Sequence, residues 1–262
     1  MNNPVGMGEQ DRSERDKFEN ELKRILKASD DSAILLRVIG SLAFQIHCPE
    51  YGYLQAAMGR AYTDIDFAAY SKQTKQIQAL MTSLGYTENR EVFIASEGDR
   101  SIYDNPGSGL HVDVFYEKLD FCHVIRWDGR LEVDSPTIPL TELLLVKMQI
   151  VKINEKDVID SLMLLLEHPL GEKDKETINV KRAAVLCAND WGLWRTTTMN
   201  LGKVKQLAHG YPQLSPEQKK KVESQVDEIL AWLDKESKPL AWRLRDRVGD
   251  RVKWYKEVDE VY

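Results

Sequence analysis

The sequence predicts an α+β chain: a mixed sheet flanked by helices up to about residue 139, followed by an all-helical domain. Two observations lead there. Strand-like segments such as TDIDFAAY and HVDVFY alternate apolar and polar side chains, and they are interleaved with stretches of helical period. From Thr141 onward the apolar spacing is helical only.

The elements follow in order. Residues 1–14 begin with a polar run lacking apolar periodicity, and the expectation is disorder. A domain over 15–139 comes next. DRSERDKFENELKRILKAS sets Phe18, Leu22, Ile25 and Leu26 on one stripe, which predicts a helix. AILLRVIG reads as a buried strand, and SLAFQIHC continues as a helix starting directly after Gly40-Ser41. CPEYGYLQAAMGRAY is a connector, TDIDFAAY the second strand, and KQTKQIQALMTSLGY a helix closed by Gly85. VFIASE and RSIYD read as strands about a Gly98-Asp99 turn, and NPGSG turns the chain into HVDVFY. FCHVIRW and RLEVDS flank Asp128-Gly129, a hairpin signal. In the domain over 140–262, TELLLVKMQIVKI and EKDVIDSLMLLLEH are helices, the second ending before Pro169. Three or four more helices follow, with turns near Gly192, Gly210-Tyr211-Pro212 and Pro239.

Composition narrows the class. With 262 residues and 42% hydrophobic content, the chain can bury a full core. The polar N-terminus has no apolar core of a signal segment, and no apolar run approaches the roughly 18 residues of a membrane span. Cys48, Cys122 and Cys187 are widely spaced and odd in number, which speaks against a disulfide framework or a zinc site and for a reducing cytoplasm. The net charge of −6 carries no global signature of nucleic-acid binding. The charge is uneven, however, with 18 Lys+Arg against 15 Asp+Glu after residue 171. Lys219, Lys220, Lys221 and the series Arg243, Arg245, Arg247, Arg251 form a basic tail, expected to be a solvated helix surface with intrahelical ion pairs.

The chemistry concentrates in three acids. On a strand, side chains two apart share a face, so Asp64 and Asp66 project together, their Cβ atoms roughly 6.6 Å apart, while Ile65 turns inward. HVDVFY repeats the arrangement, with Asp113 opposite in sense to Val112 and Val114, and a neighbouring strand can bring it alongside. Three carboxylates favour Mg²⁺ or Mn²⁺, hard cations that complete their shells with water and phosphate oxygens. Lys147, set among apolar neighbours in LLLVKMQIVKI, needs a partner.

A Gly-Ser at a helix start, a D-x-D strand, a third strand Asp and a later helical Lys, in that order, resemble the DNA polymerase beta-like nucleotidyltransferase superfamily. TIPLTELLLVKMQIVKINEKDVIDSLMLL is similar to the segment after the core in nucleotidyltransferases of the abortive-infection and toxin-antitoxin type. The resemblance covers about residues 34 to 167. It implies that Gly40 and Ser41 hold phosphates, that Asp64, Asp66 and Asp113 bind Mg²⁺, and that Lys147 meets the triphosphate. Asp157 and Asp160 would orient Lys147 or contact the acceptor. The implied partners are a nucleoside triphosphate, an RNA, protein or small-molecule hydroxyl, and an antitoxin. Two other readings share the core: an antibiotic-modifying nucleotidyltransferase, and a binding or regulatory module without catalysis. The connector holding Tyr51, Tyr53 and Arg60 either shapes an acceptor pocket or lengthens a link.

Other residues read as structural. Trp191 and Trp194, three apart on a helix, fit core packing better than base stacking. His111 shares a face with Asp113 and reads as a satisfied sheet histidine, while His47, His123, His168 and His209 lack metal-ligand spacing.

Overall fold

The computed structural model describes residues 9–258 and divides into two compact units. The first comprises residues up to 119 with 126–139, the second residues 120–125 with 140 onward. Among the described residues no helix is long and apolar enough to cross a membrane.

In the first unit, α1 (Glu9–Asp31) buries Phe18, Leu22 and Ile25, the stripe its spacing predicts. The expectation of disorder through residue 14 is corrected for residues 9–14, which are helical; residues 1–8 lie outside the described residues. There follow β1 (Arg37–Ile39), α2 (Gly40–His47), α3 (Tyr53–Ala57), β2 (Ile65–Ala69), α4 (Thr74–Ser83), β3 (Thr87–Glu88), α5 (Arg90–Ala95), β4 (Arg100–Asn105) and β5 (Leu110–Tyr116). The strands form one mixed sheet in the order β1-β2-β5-β4-β3. Only β2 and β5 are parallel; the other neighbours run antiparallel. These two central strands need apolar side chains on the covered face. Ile65, Phe67, Val112 and Val114 supply them, all fully buried. The alternate positions then turn Asp66 and Asp113 to the opposite face.

Three expectations for this unit fail for local reasons. VFIASE is the helix α5, because the Asn89 side chain accepts a hydrogen bond from the Val92 N–H and caps a helix start. The hairpin about Asp128-Gly129 is absent: Arg130 N–H donates to the Trp127 carbonyl and Val133 N–H to that of Arg130, so RLEVDS winds through successive turns. Buried Trp127 and Leu131 anchor those turns in the core. The strand read over AILLRVIG contracts to Arg37–Ile39.

The second unit holds α6 (Leu140–Met148), α7 (Glu155–Glu167), α8 (Val180–Asn189), α9 (Trp191–Gly210), α10 (Pro216–Lys235) and α11 (Leu240–Val248). Four of these six starts carry capping residues. Asn154 and Asp157 form a reciprocal capping box at α7, and Ser215 and Gln218 form another at α10, where Pro216 takes the first turn. Asn179 and Asp190 cap α8 and α9. The turn expected near Gly192 falls at Asp190, whose carboxylate accepts from Leu193 N–H and starts the helix there. One short parallel pair, Leu170–Gly171 with Ile178–Asn179, interrupts a segment expected to be wholly helical. The core of this unit includes every residue of α6 and the row Val222, Val226, Ile229 and Leu233 of α10.

Candidate metal and phosphate site

The sheet register assembles the three acids. Asp66 on β2 stands opposite Asp113 on β5, and Asp64 lies one residue before β2 begins. One carboxylate oxygen from each of Asp64, Asp66 and Asp113 lies within 4.8 Å of the other two. Asp64 and Asp66 are half-buried, and Asp113 is buried. Thr63 Oγ1 donates to Asp64 Oδ1 at 3.0 Å.

Asp113 has the most unusual surroundings. Arg100 Nη2 on β4 donates to its Oδ2 at 2.6 Å, and the guanidinium lies 5.1 Å from the Phe115 ring centre. Its Oδ1 is buried and has no hydrogen-bond partner among the described residues. Burial holds the Asp113 carboxyl above the usual carboxylate range; Arg100 pulls it down, and the Asp64 charge pushes it up again. Such an orphaned oxygen beside two further carboxylates fits a hard divalent cation, Mg²⁺ or Mn²⁺, better than it fits a dry protein interior. Sequence reasoning missed Arg100, because only the β4–β5 register carries it to Asp113.

Gly40 is bound to this site by space. It takes φ +68°, and a Cβ there would lie 1.9 Å from Asp66 Oδ2. Ile39, the residue before it, pairs with Asp66 across β1 and β2. The start of α2 carries no side-chain cap, and Ser41 is buried in its first turn with its carbonyl accepting from Gln55 Nε2 at 3.2 Å. Uncapped N–H groups at a helix start, beside a glycine, suit phosphate oxygens.

The remaining predicted residues fall in other places. Lys147, buried in α6, sits 3.0 Å from Asp157 Oδ1 and 3.0 Å from Asp160 Oδ2. This trio belongs to the second unit, and Asp160 is fully buried. Arg60 is buried, its Nη1 donates to the Ala61 carbonyl at 2.5 Å, and it lines a cavity of about 290 Å³ with Arg15, Phe18 and Tyr62. None of the three clustered acids lines that cavity. His111 contacts Asp104 on β4 and is exposed, and the His123 ring is 2.8 Å from Thr196 Oγ1. Trp191 and Trp194 pack into an aromatic cluster with Trp242 and Trp254.

No family model, curated protein or solved structure matches this chain.

Proposed function

We propose that the chain is a divalent-metal-dependent nucleotidyltransferase, moving a nucleoside monophosphate from a nucleoside triphosphate to a hydroxyl acceptor and releasing pyrophosphate. The observation that carries this reading is the convergence of Asp64, Asp66 and Asp113 within 4.8 Å, with a Cβ-excluding glycine pressed against Asp66.

Asp64, Asp66 and Asp113 would hold Mg²⁺ or Mn²⁺. When bound, such a cation neutralises triphosphate charge and lowers the pKa of a coordinated hydroxyl. The chain's own groups do the rest. Gly40 allows backbone to approach the Asp66 carboxylate closely, and the uncapped first turn of α2 offers N–H donors to phosphate oxygens. Arg100 fixes the Asp113 carboxylate through Oδ2 and leaves Oδ1 directed to its task. Asp157 and Asp160 meet the charge of Lys147, which supports the orienting role over acceptor contact, the two alternatives the resemblance implies for them. The acceptor is a hydroxyl of RNA, protein or a small molecule.

The Arg100–Asp113 pair favours one second reading: a nucleotide-binding module without catalysis, in which the arginine takes up charge a metal would otherwise meet. One experiment separates the two. Each of four α-³²P-labelled nucleoside triphosphates is incubated with the chain, Mg²⁺ and total cellular RNA, followed by small-molecule hydroxyl acceptors, with Asp64→Ala and Asp113→Ala as comparisons. Label transfer and pyrophosphate release that vanish in both variants support the enzyme. Saturable Mg-nucleotide binding with no pyrophosphate release supports the module, and absence of nucleotide binding sinks both.

A further inference from the structure

We propose that the outward face of α11 is a docking surface for an acidic amphipathic helix of a protein partner. The inference is independent of the nucleotidyltransferase reading and concerns the second unit alone.

α11 is anchored through one stripe. Trp242 Nε1 donates to the Cys187 carbonyl at 3.1 Å, the Arg245 guanidinium lies 4.1 Å from the Trp191 ring centre, and Asp246 accepts from Trp191 Nε1 at 2.7 Å. The opposite stripe is left outside. Leu240, Leu244 and Val248, each four residues from the next, are 64%, 49% and 39% exposed. Beside that apolar row stand two basic residues of α11, Arg243 and Arg247, also four apart and exposed, and Arg251 follows in the turn after Gly249, where the helix has ended.

Among the described residues these guanidiniums meet no carboxylate. Asp246 and Asp250 are the acids nearest in sequence, yet Asp246 is spent on Trp191, and Asp250 receives Arg195 in a two-pronged pair at 2.9 and 2.7 Å. Among the described residues no carboxylate lies within ion-pair distance of Arg243, Arg247 or Arg251. The expected intrahelical neutralisation of the basic tail does not occur there. A contiguous apolar row flanked by guanidiniums free to grip a carboxylate combines the two features of a recognition surface, an apolar strip and a charged rim.

Period and chemistry select the occupant. Both rows repeat every four residues, about 6 Å along the axis, which is the repeat a second α-helix presents with leucines on one ridge and carboxylates on the next. Guanidiniums favour planar carboxylates that they can grip bidentately. Nucleic acid fits less well, because the row is aliphatic and the nearby indole rings are engaged with one another and with Arg245.

The test uses the whole chain and a dye-labelled 18-residue helical peptide of leucines on one face and glutamates beside them, followed by anisotropy. Saturable binding is expected, at least tenfold weaker for Leu244→Ser and for Arg247→Gln, weakened by raising salt, and lost when lysines replace the glutamates. Because both positions are exposed, the two variants should melt as the parent does. The proposal is overturned if the glutamate peptide fails to bind at 0.5 mM, or binds both variants as well as the parent. Preference of the same face for a 20-nucleotide single-stranded RNA or for anionic lipid vesicles over the peptide also overturns it.

Discussion

Replacing Gly40 by alanine tests the candidate site at its tightest point. The residue sits at φ +68°, where an L side chain costs about 1–2 kcal/mol, and its new methyl would meet Asp66 Oδ2 at 1.9 Å. Ordinary contact begins at 3.4 Å, so the carboxylate must retreat by about 1.5 Å or the backbone must give. On the proposed reading, a displacement of that size in a metal-holding carboxylate would lower the rate on the order of 100-fold. Gly109 supplies the control, because it has the same φ of +68° and nothing within 4 Å of its would-be Cβ. Both variants should lose a similar backbone term, a melting shift of about 3–8 °C. Only Gly40→Ala should lose Mn²⁺ affinity, measured by calorimetry, and pyrophosphate release. Adding Asp66→Ala to Gly40→Ala should return part of the excess instability, since the clashing oxygen is gone. Retention of parental Mn²⁺ affinity in Gly40→Ala, or an equal loss in Gly109→Ala, would refute the steric link between the glycine and the carboxylates.

Three further outcomes are expected. Lys147→Met leaves the buried Asp157 and Asp160 carboxylates without their cation and should cost about 3–5 kcal/mol in urea unfolding, with Asp160→Asn in the same chain restoring part of it; additive losses would argue against the trio acting as a unit. Burial lowers the pKa of His123 below its ordinary 6.5, so its contribution to stability is full above pH 6.5 and is lost as pH falls through the lowered folded value. His123→Gln should therefore flatten the acid side of the stability profile, by at most about 1.4 kcal/mol per pH unit, in urea melts between pH 7 and 5. Asn154→Ala removes the cap of α7 and should cost about 1 kcal/mol, read as a shift in urea midpoint without a change in slope.

What was legible in the sequence is what depends on period and on local chemistry. Alternation about Asp66 and Asp113 placed these two acids on strands with their apolar neighbours turned inward, while Asp64, read onto the same strand, lies one residue before β2 begins. The capping residues at five helix starts were legible as well but were not used to place them. α5 was misread because VFIASE is apolar and short, and such a run suits strand or helix until the Asn89 cap decides. Asp128-Gly129 does turn the chain, but a turn signal does not choose a pairing partner, and buried Trp127 and Leu131 draw the following residues into the core instead. Arg100 was invisible for another reason. Its role is set by register across the sheet, information that no local window contains. Of the basic tail, the solvated surface is as expected and the intrahelical ion pairs are not, because Asp246 and Asp250 look available in sequence while the fold commits them to Trp191 and Arg195 of α9.

The parallel pairing of β2 with β5 frees the spacing of the acids from the length of chain between them. Asp66 and Asp113 are neighbours by shared ladder, although 47 positions part them, so the connecting segment can grow or shrink at its turns without altering their separation. The Asn105–Gly109 turn, held by Asn105 Oδ1 accepting from Gly107 and Ser108 N–H groups, is such a point. Deleting one residue within β5 ahead of Asp113 has the opposite character: if Leu110 keeps its place in the ladder, every later side chain changes face, and the acid is exchanged for a valine. The chain thus tolerates drift in its loops and almost none in the phase of one strand.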